Sequence, residues 1–186
     1  MTRWLGDSEG RLKQAAIDLF AARGFDAVTV ADIAEAAGVT ERTFFRYFAD
    51  KREVLFTDHD AYHAHFLDAL AVSGETTPMG LVEAALRGGA GFFPETRRPM
   101  SRARQRVIDS SPALRERESL KRTGLAEALV AALVARGVAP MAAALAAQSG
   151  TAAFYVAFAT WTADGETRTF PELLDDALAE LKSLLV

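Results

Sequence analysis

Hydrophobic positions recur at helical spacing along most of the chain, and no stretch keeps the strict alternation of a β-strand. Near the start, apolar side chains return at this spacing from Leu12 to Phe20, and Gly24 ends the pattern. Thr29 stands directly before Val30, Ile33, Ala34 and Ala37, which recur at helical spacing, and Thr40 before a segment with apolar positions at Phe44, Tyr47 and Phe48, as residues that cap the start of a helix do. The pattern therefore predicts three short helices close together at the start of the chain.

Prolines, glycines and short polar residues divide the rest of the chain into further helices. We expect Asp50 to cap a fourth helix from Lys51 to about Ala71, which the Ser73–Pro78 stretch ends. The other predicted helices run from residue 78 to the glycines at 88, 89 and 91, and near 100–110, 113–136, 141–163 and 171–185. The predicted fold class is all-α with about nine helices. A three-helix head occupies residues 8–55, with its motif helices at 29–48, and a larger helical domain occupies residues 56–186.

Composition narrows the classes of function. The chain has no Cys, which excludes disulfides and thiolate chemistry, and 50% of its residues are hydrophobic, which suits a buried core. Its net charge of −4 argues against an architectural protein that coats DNA, because such a protein needs a strongly basic surface. No apolar leader follows Met1, and the apolar stretches 125–135 and 139–147 are too short to cross a bilayer. We therefore expect a cytoplasmic protein with no membrane partner.

The second and third predicted helices are joined only by Ala37, Gly38 and Val39. A glycine turn of this length sets two helices near a right angle, as in a helix-turn-helix. The apolar side chains expected to face inward and fix this angle are Leu19, Ile33, Ala34, Val39, Phe44 and Phe48. The third helix then presents its polar side chains outward, and a single α-helix fits the major groove of DNA.

The chain reads TVADIAEAAGVTERTFFRYF at 29–48, ADK at 49–51 and VLF at 54–56, with the turn RGF at 23–25 upstream. By these residues the segment from about Arg11 to Leu55 resembles the DNA-binding head of the TetR family of bacterial repressors. The resemblance implies a bacterial transcriptional regulator, most simply a repressor, that binds a palindromic operator as a homodimer and is released by a small-molecule effector. It leaves open the operator, the effector, and whether the protein can also activate.

By this resemblance the DNA-binding residues are Thr29, Thr40, Glu41, Arg42, Thr43, Phe45, Arg46, Tyr47 and Lys51. Four of them match positions that contact phosphate: Thr29, Thr40, Tyr47 and Lys51. Arg46 is expected to read a base, because arginine can grip guanine through two hydrogen bonds.

Three positions depart from the family pattern. Phe45 stands where tyrosine is frequent, Arg42 where a small residue is frequent, and Glu41 where a basic residue is common. Arg42 has the alternative of facing solvent, and Tyr47 that of belonging to the core. These departures concern the operator sequence rather than the mode of binding.

For the homodimer we predict the last two helices, whose small and apolar residues allow close approach of a second copy. These residues are Ala143, Ala144, Ala147, Gly150, Thr151 and Phe154 on the first helix and Leu173, Leu174, Ala177, Leu178, Leu181 and Leu185 on the second. The alternative is that both helices bury these faces inside one subunit.

The predicted ligand-binding residues are Phe92, Phe93, Arg102, Phe154, Phe158 and Trp161. The aromatic members would line an apolar pocket, with plain core as the alternative. A basic run accompanies them: Arg97, Arg98, Arg102, Arg104 and Arg106. One hypothesis is that an anionic amphiphile such as an acyl-coenzyme A (acyl-CoA) places its phosphates there; the alternative is a solvated basic face. The glycines at 88, 89 and 91 mark either a helix end or space for a ligand.

The histidines suggest an alternative function. His59, His63 and His65 share one predicted helix, and the first two are spaced so that they could bind one metal ion, as in an all-helical metal-dependent hydrolase. The chain has no glycine-rich phosphate loop, no cysteine nucleophile and no His-Glu metal motif. We therefore predict no enzyme activity, no cofactor and no metal site, and interpret these histidines as solvated helix surface.

Overall fold

The computed structural model describes residues 8–56 and 59–184, and within these ranges all regular elements are helical. The described α-helices are α1 (Ser8–Arg23), α2 (Val30–Ala36), α3 (Glu41–Tyr47), α4 (His59–Val72), α5 (Pro78–Ala90), α6 (Arg98–Ser110), α7 (Pro112–Ala135), α8 (Pro140–Thr162) and α9 (Phe170–Ser183). Two short 3-10 turns, Glu53–Leu55 and Glu95–Arg97, lie between them. The prediction of an all-α fold with about nine helices is confirmed.

Threonine caps the start of four helices. The hydroxyls of Thr29, Thr40, Thr77 and Thr169 each accept a hydrogen bond from the backbone amide three residues further on. This bond satisfies one of the N–H groups that have no partner inside the helix. The caps that the sequence indicated at residues 29 and 40 are thereby confirmed.

The prediction of one continuous helix from Lys51 is wrong at its start. The Asp50 carboxylate accepts from the amides of Arg52 and Glu53 at the start of the 3-10 turn Glu53–Leu55, and Phe56 then takes an extended conformation that ends the turn. The α-helix begins at His59. The reason lies in burial: the three consecutive side chains at 54–56 are all buried, and one face of an α-helix cannot bury three neighbours in sequence.

The described chain forms two compact units. The N-terminal unit contains residues 8–56 and 100–118, and the C-terminal unit contains residues 59–99 and 119–184. The hydrophobic core of the N-terminal unit therefore combines side chains of α1, α2 and α3 with Val107, Ile108 and Leu114 from α6 and α7. From the sequence, residues 100–118 were expected in the larger domain, and no local pattern in them indicated that they pack with the head.

In the C-terminal unit, glycine allows helices to approach closely. A Cβ atom built on Gly89 of α5 would lie 2.1 Å from the ring of Phe66 on α4, and one built on Gly150 of α8 would lie 2.4 Å from Val82 of α5. Of the three glycines whose role was left open, Gly91 marks the helix end, since it is the C-cap of α5. Gly88 and Gly89 admit α4 rather than a ligand, because both contacts are to its atoms.

By length and composition α8 could cross a membrane, since its apolar stretch covers Pro140–Thr162 rather than the shorter 139–147 that the sequence analysis considered. Half of the most apolar part of this helix is buried inside the protein, including Phe154 and Trp161. This is the pattern of a core helix.

Candidate nucleic-acid interface

A reciprocal cap fixes the start of α2. The Thr29 hydroxyl accepts from the Asp32 amide (3.1 Å) and donates to the Asp32 carboxylate (2.7 Å), which also accepts from the Thr29 amide (2.8 Å). Arg23 pairs with the same carboxylate at 3.2 Å. The Thr29 hydroxyl, then the Thr29 amide and Arg23, lower the pKa of Asp32 from 3.8 to about 2. The cap therefore stays charged and formed at neutral pH.

The turn between α2 and α3 depends on Gly38. Its φ of +66° lies in the left-handed region, which only glycine adopts without strain. Its amide donates to the Glu35 carbonyl (3.0 Å), and the Val39 amide donates to the Ala34 carbonyl (2.9 Å). The tight glycine turn predicted from the sequence is thereby found, with both following amides bonded back to α2.

α3 divides its side chains between the core and the surface. Phe44 is fully buried and Phe48 is 7% exposed, with ring centroids 5.4 Å apart. Phe45 is 54% exposed and Tyr47 is 39% exposed, so Tyr47 belongs to the surface and Phe48 to the core. The other exposed side chains of this helix are Glu41, Arg42 and Arg46, and Thr43 is partly buried. Most of the predicted DNA-binding residues thus share the outward surface of one helix.

Hydrogen bonds order several of these exposed groups. The Thr40 hydroxyl caps α3 by accepting from the Thr43 amide (3.2 Å), and the two threonine hydroxyls are 3.1 Å apart. Arg46 donates to the Tyr47 hydroxyl (3.0 Å), and its guanidinium lies 4.9 Å from the centre of the Tyr47 ring. This pairing restricts the Arg46 side chain to few orientations.

Lys51 faces the protein in this structure. Its ammonium lies 2.9 Å from the carbonyl oxygens of Phe25 and Val28, and 3.4 Å from that of Asp26. The ring of Phe25 lies below it, with its centroid 4.4 Å away. Lys51 thus holds the loop between α1 and α2, a role that the sequence did not suggest. Its contact with phosphate stays a prediction.

Sequence reasoning missed Arg11, which also orders the motif. Arg11 Nη1 donates to the Ala37 carbonyl (2.8 Å) at the end of α2. The available signal was weak: Arg11 directly precedes the first buried position of α1, Leu12, so its side chain leaves the helix at the edge of the core.

Four of the predicted ligand residues meet in one aromatic cluster of the C-terminal unit. Phe93 lies at its centre, with ring centroids 5.9 Å from Phe154, 5.2 Å from Phe158 and 6.0 Å from Trp161. Phe170, which the sequence analysis did not select, lies 5.0 Å from Phe93.

Phe92 adjoins this cluster, since its ring centroid lies 5.3 Å from that of Phe93. The Phe92 ring packs on Tyr62 (5.3 Å) and His65 (5.5 Å). Arg102 belongs to the N-terminal unit. The structure therefore gathers the five predicted aromatic ligand residues within the C-terminal unit.

The basic run does not form one unoccupied patch. Arg98 is buried in the C-terminal unit, where it pairs with Glu95 (2.7 Å) and donates to the carbonyls of Glu166 (2.5 Å) and Arg168. Arg104, in the N-terminal unit, donates to the Leu55 carbonyl (2.5 Å) and pairs with Glu118 (3.2 Å). At least these two arginines bind their own unit.

The residues selected for a dimer surface lie mostly inside the subunit. On α8, Ala143, Ala147, Gly150, Thr151 and Phe154 are buried, and on α9 so are Leu173, Leu174 and Leu178. The reason is that α8 and α9 pack against each other and against α5. The alternative, burial within one subunit, holds for these faces, while Leu185 lies outside the described residues. The exposed apolar side chains of α8 are Met141 (78%), Leu145 (64%) and Val156 (62%).

No metal site is seen among the described residues, which contain no group of three His, Cys, Asp or Glu side chains suited to hold an ion. The side chain of His59 lies outside the described part, and the His63 and His65 rings lie near Tyr62 (5.8 Å) and Phe92 (5.5 Å) respectively. The hydrolase alternative gains no support.

Two protein families match the chain. Residues 12–57 match the family described as bacterial regulatory proteins, tetR family, and residues 76–186 match the MftR C-terminal domain. The chain is 34% identical over 140 residues to the HTH-type transcriptional regulator TcmR of Streptomyces glaucescens, covering 72% of this chain and 61% of TcmR. It is 35% identical over 126 residues to the mycofactocin biosynthesis transcriptional regulator MftR of Mycobacterium tuberculosis, covering 67% of this chain and 63% of MftR. The match therefore spans less than two thirds of either relative.

Solved structures share the fold over nearly the whole chain. A TetR-family transcriptional regulator from Syntrophomonas wolfei is 18% identical, with a TM-score of 0.67 over 96% of this chain and 94% of that one. The TetR-family repressor FadR of Thermus thermophilus, in complex with lauroyl-CoA, is 21% identical, with a TM-score of 0.55 over 96% of this chain and 95% of that one. Because these identities are low, the likeness concerns the fold alone.

Proposed function

Because the chain belongs to the TetR family of bacterial regulatory proteins, we propose that it is a sequence-specific DNA-binding regulator of transcription that reads its operator with α3. The observation that carries this proposal is the division of α3. Buried Phe44 and Phe48 anchor the helix, while Arg42, Phe45 and Arg46 stand exposed on it. An exposed helix bearing arginines is what direct reading of the major groove requires.

In this proposal the exposed residues divide into two roles. Arg46 contacts a guanine edge, with Arg42, Glu41 and Phe45 near the neighbouring bases, and the Phe45 ring suits a thymine methyl group. Thr29, Thr40, Thr43 and Tyr47 lie toward the phosphates, where hydroxyls fix the register. The family resemblance assigns Lys51 to phosphate as well.

The operator is proposed to be read by two copies of the chain. Two heads on successive major grooves need half-sites about 34 Å apart, so a symmetric dimer suits a palindrome. The dimer surface is proposed on α8, at the exposed stripe of Met141, Leu145 and Val156, because single apolar side chains at this spacing form one helix face.

Mutation of the stripe tests the dimer. Leu145→Glu should shift the protein from dimer to monomer in analytical ultracentrifugation, because the new charge would be buried between subunits. The matched control is Val72→Glu on α4, since Val72 is 85% exposed outside the stripe. A dimer that survives Leu145→Glu at low micromolar concentration would place the interface elsewhere.

The effector is proposed to be an anionic amphiphile such as an acyl-CoA, and the protein to be a cytoplasmic repressor that releases DNA when it binds one. The aromatic cluster supplies an apolar environment for an acyl chain, and the FadR relative was solved with lauroyl-CoA. Release requires that the ligand bind more tightly to a conformation of the protein that does not fit the operator than to the conformation that does. Thermal shift across a series of acyl-CoA chain lengths tests this; no shift at any length would contradict it.

The main proposal is tested by fluorescence anisotropy with duplexes from the DNA flanking the protein's own gene. We expect one duplex to bind far better than scrambled DNA of the same composition, with affinity falling as salt rises. Arg46→Ala should cost about 1–3 kcal/mol on that duplex and relax the preference at one base pair. Equal affinity for every duplex, or none at low salt, would contradict the proposal.

A further inference from the structure

Arg98 is a buried arginine beside the aromatic cluster of the C-terminal unit. It stands at the start of α6 and is only 9% exposed. Its guanidinium lies 5.4 Å from the centre of the Trp161 ring. Trp161 is fully buried, and its ring packs against those of Phe93, Phe158 and Phe170. A charged group in such surroundings is expected to have its N–H donors satisfied.

The terminal nitrogens of Arg98 have partners, but its Nε–H does not. Nη1 donates to the Glu166 carbonyl (2.5 Å), and Nη2 donates to the Arg168 carbonyl and pairs with the Glu95 carboxylate (2.7 Å). Nε is buried and has no hydrogen-bond partner among the described residues. A buried N–H group without an acceptor destabilises the folded protein. This donor is therefore available to an acceptor from outside the chain.

The charges around Arg98 favour an uncharged acceptor. The Glu95 carboxylate already balances the guanidinium at 2.7 Å, and it also accepts from Trp161 Nε1 at 3.0 Å. A second carboxylate or a phosphate would bring an unbalanced negative charge into a buried site, which costs far more than burying a neutral group that forms a hydrogen bond. A carbonyl oxygen meets this requirement, since it accepts hydrogen bonds and carries no charge.

Arg98 lies where polar and apolar surroundings meet. Its partner Glu95 has a side chain that is 47% exposed, so this carboxylate is in contact with water. The rings of Phe154, Trp161 and Phe170 are buried. Ligand sites typically combine an apolar lining with a few polar groups that fix the orientation of the ligand. A molecule with an apolar chain among the rings would therefore have its first polar group close to Arg98.

We propose that Arg98 is a ligand-binding residue, whose Nε–H donates to an uncharged carbonyl oxygen at the head of an apolar chain that lies among the aromatic rings. This inference rests on the proposed function, in which the aromatic cluster holds the chain of an effector, and it names the group that the protein recognises. In an acyl-CoA that group is the thioester carbonyl, and the phosphates bind elsewhere. A free fatty acid fits less well, because its carboxylate would add a charge that Glu95 already supplies.

The test compares two ligands that differ by one carbonyl. Lauroyl-CoA carries the thioester, and its thioether analogue dodecyl-CoA has the same chain length and the same phosphates, with a methylene group in place of the carbonyl. Isothermal titration of the full-length protein should give a Kd about tenfold lower for lauroyl-CoA, since hydrogen bonds to charged groups are among the stronger ones. Equal Kd values for the two ligands would overturn the inference.

Arg98→Lys should abolish this preference for the thioester. The lysine keeps the positive charge beside Glu95, and its three N–H groups match the three acceptors that Arg98 already binds, which leaves no donor for a ligand. Arg87→Lys is the matched control, because Arg87 is another paired arginine of the C-terminal unit and its side chain is 52% exposed. It should keep the tenfold ratio of the wild type. A folded Arg98→Lys protein that also keeps this ratio would overturn the inference.

Nitrogen-15 NMR of the wild-type protein observes the Arg98 Nε–H directly, so it carries the test if Arg98→Lys unfolds. Lauroyl-CoA should move this resonance downfield and dodecyl-CoA should not. A water molecule that stays bound to the Nε–H in the presence of lauroyl-CoA, seen as a nuclear Overhauser effect, would overturn the inference.

The failure of the proposed effector can be distinguished from the failure of this inference. If neither lauroyl-CoA nor dodecyl-CoA binds, the protein does not take acyl-CoA molecules and that part of the proposed function fails. The decisive probe is then 2-decanone, which has an uncharged carbonyl on an apolar chain and no phosphate. A downfield shift of the Arg98 Nε–H resonance on its addition would support the role of Arg98, and an unmoved resonance would overturn it.

Discussion

In the N-terminal unit α2 and α3 have only seven residues each, and polar contacts fix their ends: caps at Thr29 and Thr40, and cations at Arg11 and Lys51. The C-terminal unit instead joins long helices through close apolar packing, with glycine admitting neighbouring side chains and phenylalanine rings filling the interior. The two units should therefore differ in the mutations that they tolerate. The head should be sensitive to lost hydrogen bonds, and the C-terminal unit to added or removed volume.

Phe44→Ala should have the largest effect, and it tests whether the stability of the head also depends on the volume of its core side chains. Phe44 is fully buried at the centre of its core, so its removal should cost about 3–5 kcal/mol of unfolding free energy in urea. Phe45→Ala is the matched control, since the neighbouring ring is 54% exposed and its loss should change stability by less than about 0.5 kcal/mol. Phe45→Ala should weaken operator binding instead. Equal destabilisation by both variants would refute the division of α3 into a core face and a DNA face.

Gly89→Ala should have the next largest effect and sharpens the account of the C-terminal unit. The added methyl group would meet the buried Phe66 ring at 2.1 Å, so α4 and α5 must separate, at a cost of about 1–3 kcal/mol. Gly91→Ala is the control: its φ of −59° is helical and the nearest atom to a new Cβ is 3.4 Å away. Thermal denaturation should show a lower melting temperature only for Gly89→Ala. An unchanged melting temperature would mean that the helices are not in close contact there.

The smallest effect concerns pH, and each unit contains one carboxylate whose pKa is lowered to about 2. The pKa of Asp32 is lowered to about 2 by Thr29 and Arg23, and that of Glu166 to about 2 by the Arg168 side chain and the amides beside it. A carboxylate with a lowered pKa in the folded state stabilises the protein above its unfolded pKa, and this contribution is lost as pH falls toward 2. Stability should therefore decline between about pH 4 and pH 2.

Replacing these carboxylates checks the origin of the decline. In Asp32→Asn and Glu166→Gln, the unfolding free energy measured in urea should fall less steeply over this pH window than in the wild type. In the wild-type protein, carbon-detected NMR titration should follow the Asp32 and Glu166 carboxylates directly. A midpoint near the ordinary value of 3.8 for Asp32 would show that its cap is absent in solution.

Local signals in the sequence were enough to predict the head. Caps, the glycine turn and the spacing of apolar residues act over a few positions, so Thr29, Gly38, Thr40 and the outward position of Arg46 could be predicted without a structure. The same holds for the number of helices. Contacts between distant positions could not be predicted this way, and Arg11 and Lys51 act on carbonyls 23–26 residues away.

The buried faces of α8 were the other failure, and its cause is composition. A helix built largely from alanine and other apolar residues has no polar side that marks its outer surface. The small residues near Gly150 were consistent with either a second copy or a neighbouring helix, and Val82 of α5 occupies that place. The break after Lys51 was missed because an Asp whose carboxylate accepts from the amides that follow it, as Asp50 does, can precede a 3-10 turn as well as an α-helix.

Residues 100–118 belong to the N-terminal unit, and this affects how chimeras of this protein and its relatives should be designed. Val107, Ile108 and Leu114 complete the hydrophobic core that α1, α2 and α3 share, although they lie at least sixty residues downstream of Tyr47, where α3 ends. In a chimera that exchanges only the first 57 residues, the foreign head would therefore pack against core side chains of residues 100–118 that do not match it. A transplant that is meant to change operator preference should carry residues 100–118 along, so that the two separated pieces of sequence are inherited together.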